Sequence, residues 1–334
     1  MKRSTLAFVL LITFVLPPRL AAAADSWVTY DGYEGPGQGK HIVLVTGDDE
    51  YRSEESIPQL AKILAVRHGF RCTVLFAIDK NTGAIDPATM DNIPGLEALE
   101  SADLMVLFLR FRALPAVQME RILDYTDSGK PILALRTSTH PFSYPGKVES
   151  PYAKWNWNSS DPKGGYGRVV LGETWINHYG AHGRESTRGV IAPGMEDNPI
   201  VRGCEDIWGP SDVYGITKLS GDSRPIVLGR VLSGMDPGDG PVPGKEQLPV
   251  AWTKSHTGAG GIAARIFTTT MGHSYDFKSE GFRRMLVNAA YWCTGMEEQI
   301  PERANVEYVG VYDPSDIGFG THKVGVMPAE YDLN

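Results

Sequence analysis

The stretch from His41 to Phe76 constrains this chain most. His41-Ile42-Val43-Leu44-Val45-Thr46 is a short apolar run rich in β-branched residues, which suits a strand buried on both faces. Gly47-Asp48-Asp49-Glu50-Tyr51-Arg52 breaks that run with charge. Ser53 is placed to cap a helix whose first turn holds Glu54 and Glu55, the sign a helix N-terminus favours. Ile57, Leu60, Ala61, Leu64 and Ala65 then fall at i, i+3, i+4, i+7 and i+8, one apolar stripe. Gly69 stops the helix, and Arg71 to Phe76 reads as the next strand. The spacing predicts a βαβ unit with parallel neighbours and a right-handed crossover. Ligands in such sheets sit beyond the carboxyl ends of the strands, the edge where the acidic loop 48–52 lies.

The alternation repeats. Leu104 to Leu109 is a buried strand ending in Arg110-Phe111-Arg112. Pro115 opens a helix through Asp127, with Met119, Ile122 and Leu123 inward and Gly129 as its stop. Pro131 to Leu135 is a further strand, ending in Arg136-Thr137-Ser138-Thr139-His140. These alternations predict an α/β fold with a doubly wound, mostly parallel sheet and long loop insertions. Residues 25–39 read as a surface leader and 79–95 as loop, with a helical turn from Leu96 to Ser101. Residues 141–189 are rich in Trp and Tyr without a clean period. Strands are expected at Ile226–Val231, Leu248–Trp252 and Arg265–Thr269, with an exposed Gly/Pro-rich loop at 233–247. A helix is expected from Gly281 to Cys293, where Phe282, Met285, Leu286, Ala289, Ala290 and Cys293 share a face. The main domain thus spans residues 40–297, and 298–334 read as an irregular tail wrapped on it by Tyr308, Val309, Val311 and Tyr312.

Lys2 and Arg3 precede the apolar run Leu6–Leu16, and Ala22-Ala23-Ala24 offers a small-residue cleavage site. Residues 1–24 are therefore expected to be a secretory signal peptide, giving an exported, periplasmic or extracellular protein. Its removal takes away Lys2, Arg3 and Arg19 and no acid, moving the formal charge from −8 to −11. That balance argues against nucleic acid as a partner. No later segment is long enough to cross a bilayer. Three cysteines, Cys72, Cys204 and Cys293, cannot all pair within one chain, and buried thiols are the expectation, a Cys72–Cys204 disulfide the alternative.

Four polar clusters follow strands: 48–52, 110–112, 136–140 and Gly272-His273-Ser274-Tyr275-Asp276. Parallel strands would bring them to one edge. His273 is the leading candidate for general base or acid, against a reading in which it only ties its loop to nearby backbone. His178 and His182 have the i, i+4 spacing of helical metal ligands, with Glu173 and His140 to complete a set, but Gly180 and Gly183 oppose a helix. They read as loop histidines contacting a polar substrate, with a divalent metal as the alternative. Glu50 and Arg52 precede the helix and are placed to face a cleft. Arg110, Arg112 and Arg136 either bind an anion or neutralise nearby carboxylates. The aromatic stretch 142–179, with Asn177 and Tyr179, suits a carbohydrate, although a loop layer packed over the sheet would need the same rings. There is no G-x-S-x-G elbow, no GxGxxG after the first strand, no P-loop and no CxxC, which removes the ordinary Ser hydrolase, dinucleotide and NTPase readings.

Lys40 to Glu55 resembles the opening of secreted ThuA-like (trehalose utilisation) domain proteins. Gly129–His140, Asn177–Gly180, Leu248–Trp252 and Thr270–His273 are similar to later segments of that family, in the same order. The resemblance implies a class I glutamine amidotransferase-like, flavodoxin-like scaffold. In true amidotransferases a Cys nucleophile follows the strand equivalent to Pro131–Leu135, and a downstream His activates it. Here that turn holds no Cys, so the resemblance implies the scaffold and the His273 position but not glutaminase chemistry. Ser138 reads as a structural hydroxyl rather than a replacement nucleophile. The family name implies disaccharide catabolism. The expected function is acid–base chemistry on a sugar or keto-sugar by His273, His178 or His140, with Glu50, Arg52, Arg110, Arg136, Asn177, Tyr179 and His182 on the substrate. The alternative is a non-catalytic carbohydrate-binding or partner-binding domain.

Overall fold

The chain is described here from a computed structural model covering residues 26–146 and 150–333. The segment read as a signal peptide lies outside the described residues. Among the described residues, ten strands form one sheet. In chain order they are β1 (Trp27–Tyr30), β2 (His41–Gly47), β3 (Arg71–Leu75), β4 (Leu104–Leu109) and β5 (Ile132–Leu135). The others are β6 (Thr187–Ile191), β7 (Trp208–Gly209), β8 (Arg224–Val231), β9 (Leu248–Thr257) and β10 (Ala263–Thr269). The α-helices are α1 (Ser53–His68), α2 (Ala116–Asp127) and α3 (Glu280–Cys293).

Across the sheet the order is β1-β3-β2-β4-β5-β10-β9-β8-β6-β7. The five central strands β3, β2, β4, β5 and β10 are parallel. Side chains alternate along β2, so Ile42 and Leu44 enter one core with α1 and α3, while Val43 and Val45 enter another with α2. Both faces of the parallel part are thereby covered, which explains its continuous apolar runs. Phe282, Met285 and Leu286 of α3 are fully buried and together contribute about 5–8 kcal/mol of apolar transfer energy.

The expectation of a mostly parallel sheet holds in this central part. Beyond β10 the pairings to β9, β8, β6 and β7 are antiparallel. The reason is local: the Gly258-Ala259-Gly260-Gly261-Ile262 connection is too short for a crossover, so β9 and β10 form a hairpin. At the other edge, residues expected to be a surface leader supply β1, paired antiparallel with β3. Helix α1 begins where expected, but Ser53 does not cap it. Arg52 precedes it with a left-handed φ of 60° and no side-chain cap bond, while Ser53 Oγ accepts from the Asp48 amide at 3.0 Å. Near the C-terminal end, Ala304 and Val306 are buried and the Tyr312 hydroxyl donates to the Ser274 carbonyl, while Val311 is 94% exposed. All three thiols are buried and free, so no disulfide forms. No helix among the described residues is long and apolar enough to cross a membrane.

Candidate functional site

Because β2, β4, β5 and β10 are parallel neighbours, the four polar clusters converge at their carboxyl ends, as their order along the chain implies. Three residues there take left-handed conformations, Arg52 (φ 60°), Phe111 (φ 51°) and Arg136 (φ 44°). Such conformations cost roughly 1–3 kcal/mol each and persist only where the surroundings impose them. After β2, the fully buried Asp48 carboxylate accepts the Glu50 and Tyr51 amides and the Thr137 hydroxyl. It locks the loop so that Tyr51 points inward and Glu50 lines the cavity.

Arg136 follows β5 directly and is wholly buried. Its guanidinium lies between the Tyr51 and Tyr214 rings, at 4.5 and 4.2 Å from their centroids. One terminal nitrogen donates to the Asp212 and Thr270 carbonyls, both at 2.8 Å. The other donates to Asp212 Oδ1 at 2.7 Å and the Tyr51 hydroxyl at 3.1 Å. Arg136 is therefore committed to the frame, and its expected place on a substrate gives way to the neutralising role.

Asp212 organises the other half of the site. Its Oδ2 meets His178 Nδ1 at 2.7 Å, and its Oδ1 meets His182 Nδ1 at 3.0 Å. Burial pushes this carboxyl up, but Arg136 and the two imidazoles outweigh burial and hold it well below the usual carboxylate range. Its hydrogen bond to Asp212 pushes His182 up, and His182 Nε2 also lies 3.5 Å from Glu50 Oε1. Segments 177–182 and 212–215 are stitched by backbone bonds from Tyr179 and Gly180 to the Val213 carbonyl and from Gly215 to the Asn177 carbonyl. The approach is close: a Cβ on Gly215 would stand 1.7 Å from Asn177 Oδ1.

Beside these groups, with Glu50, Tyr51 and His178 in its wall, lies a cavity of about 330 Å³, at the small end of ligand pockets. Phe111, Trp175, Tyr214 and Phe319 form apolar walls, and Glu50, Arg110 and His178 supply polar atoms. Arg110 is sandwiched between Phe111 and Phe319 and paired with Asp49 at 3.0 Å and Glu50 at 3.4 Å. His140 lines the cavity against Phe111, with ring centroids 4.9 Å apart; burial, then Arg110 and Arg136, holds it well below the usual imidazole range.

The remaining candidates lie elsewhere. His273 belongs to the same cluster, 6.0 Å from the Tyr51 ring, but its Nδ1 accepts the Tyr275 amide at 2.9 Å. Burial, then Arg136, pushes its pKa down to about 3, so it is a neutral cap behind Tyr51. Arg52 turns from the cleft and donates to the Asp316 and Gly318 carbonyls and the Thr321 hydroxyl of the tail. Asn177 is exposed beside Gly215, and Tyr179 packs on Lys245 and accepts the Glu246 amide. Arg112 is buried on the Pro87, Thr89 and Arg110 carbonyls. Ser138 donates to the Leu107 carbonyl at 2.8 Å and accepts the Leu109 amide, a structural hydroxyl.

Sequence reasoning missed Asp212, Tyr214 and Phe319, none of which follows a readable strand or motif. It also named Glu173 and His140 as completing ligands. Among the described residues the group able to hold a metal ion is instead His178, His182 and Asp212, each offering one donor atom, all within 4.8 Å of one another. Glu173 pairs with Arg168 at 2.8 Å.

No family model and no curated protein matches the sequence. Solved structures similar to the chain include a protein of Parabacteroides merdae ATCC 43184 described as ThuA-like, at 17% identity and a TM-score of 0.48, covering 76% of this chain and 90% of that one. Another, from Bacteroides uniformis ATCC 8492 and also described as ThuA-like, is 11% identical with a TM-score of 0.46, over 79% of this chain and 95% of that one.

Proposed function

We propose that this is an exported ThuA-like protein, on a flavodoxin-like, amidotransferase-like scaffold, that acts on a neutral sugar or keto-sugar. The observation that carries the reading is the aromatic-walled cavity in which Glu50 faces the His178–His182–Asp212 cluster. Aromatic faces pack against the C–H faces of a sugar ring, and the paired Glu50 and Arg110 take hydroxyls without leaving a net charge. The chemistry that fits is proton abstraction beside a carbonyl. Glu50 takes the proton, the C–H electron pair moves onto the carbonyl oxygen, and the Arg110 guanidinium, which lines the cavity beside Glu50, stabilises the enediolate. His273 and His140, held neutral by burial, shape the pocket rather than move the proton. With keto-glycosides as substrates, exchange of the α-proton with solvent deuterium follows the step by NMR. Glu50→Gln is expected to slow exchange by about 10²–10⁴-fold. Exchange at the wild-type rate in Glu50→Gln removes the mechanism.

The missing Cys after β5 favours a second reading, a carbohydrate-binding protein without turnover. Calorimetry showing binding of a sugar that is never converted selects it.

A further inference from the structure

We infer that His178, His182 and Asp212 form a binding site for one divalent transition-metal ion, with its open face toward the cavity. This deepens the sugar reading and uses the same cluster. The geometry is close to that of a bound ion. A tetrahedral ion with bonds of about 2.0–2.1 Å holds its ligands about 3.3 Å apart. His178 Nδ1 lies 2.7 Å from Asp212 Oδ2 and His182 Nδ1 lies 3.0 Å from Asp212 Oδ1, and one donor atom from each residue falls within 4.8 Å of the others, so small rotations of the carboxylate and rings bring three ligands to that separation.

The surroundings supply what ligands need. Arg136 grips Asp212 Oδ1 from the buried side and fixes the carboxylate. With His182 Nδ1 on the ion, its Nε2 faces Glu50 Oε1 at 3.5 Å, the carboxylate–histidine arrangement that orients a ligating ring. The two imidazole side chains are 36% and 38% exposed, so the outward position is left to water or a sugar oxygen, as in catalytic sites. Two imidazoles and one carboxylate suit zinc and its neighbours; Ca²⁺ and Mg²⁺ need more oxygens, and the three thiols lie buried elsewhere. The ion would supply positive charge where an enediolate forms, with Glu50 still free to take the proton.

The test is calorimetry with Zn²⁺ on the mature protein after dialysis against EDTA, with Co²⁺ absorption as a second readout and Mg²⁺ as a control. One equivalent of Zn²⁺ is expected to bind. Glu50→Gln should weaken binding about 10–100-fold, His178→Ala and His182→Ala each by more, and His322→Ala not at all. The two histidine variants are on the exposed side and keep the test valid if Asp212→Asn fails to fold. Absence of one-equivalent binding, or wild-type affinity in both histidine variants, overturns the inference. Sugar turnover by protein that binds no zinc overturns it and leaves the sugar reading standing; zinc bound with no sugar converted or held does the reverse.

Discussion

The two halves of the sheet contribute to the cavity in different ways. The parallel half brings buried ions that already hold partners within the protein: Asp48 two amides and Thr137, Arg136 Asp212 and backbone carbonyls, Arg112 three carbonyls. The antiparallel half brings its polar groups on irregular loops, and His178 and His182 keep an open side. Fully buried charge at the end of a strand is therefore frame, while the groups free for chemistry, Glu50 after β2 among them, stay open to the cavity. Full burial forces pairing, because an unpaired buried charge is too costly to persist.

The largest test of this contrast is Arg136→Met. It strands the Asp212 carboxylate and should cost about 3–5 kcal/mol, read as a lower urea midpoint. A loss below 1 kcal/mol would mean that Arg136 is not part of the frame. Next is Glu54→Gln. Glu54 is buried in the first turn of α1 with neither carboxylate oxygen hydrogen-bonded. Burial raises it from 4.5 to about 8, so the folded protein keeps a proton that the unfolded chain releases. Its favourable contribution is full below about pH 4.5 and is lost as pH rises through about 8. The glutamine variant should match wild type near pH 5 and gain roughly 1–4 kcal/mol by pH 9; an equal gain at both pH values would refute the assignment. Ser138→Ala should lose about 1–3 kcal/mol by leaving the buried Leu109 amide unpaired, with turnover intact. Loss of turnover in folded protein would restore Ser138 as a nucleophile. On the loop side, His178→Ala and Phe319→Ala should each shift stability by no more than about 0.5 kcal/mol, while both weaken binding of a sugar. A large thermal shift in either would place these side chains in the frame.

Much of the central fold was legible because its signals are local. β-branched runs, a helical stripe and a stopping glycine each act within a few residues, and β2, α1 and β3 appear where those signals put them. Less was legible at the site. His178 and His182 could be named from their spacing, but not the carboxylate they share, because Asp212 lies 34 and 30 residues away on an irregular segment. His273 drew notice as a histidine after a glycine beyond a strand, and of the two readings that pattern allowed the structure takes the local one, with Nδ1 spent on the Tyr275 amide two residues on. Arg52 looked free for the same reason, since its partners arrive from the tail more than two hundred and sixty positions later.

By itself the sequence determined the parallel core and the edge at which polar loops gather, since hydrophobic period and strand direction follow from short-range pattern and chain connectivity. Tertiary structure alone decided which charges are silent. Arg136 and Asp212 are 76 positions apart, and only their meeting neutralises one guanidinium and sets the carboxylate that holds both imidazoles, His178 at the cavity wall. A side chain's reactivity depends on which partners reach it and how much water is left, and both are properties of the folded molecule.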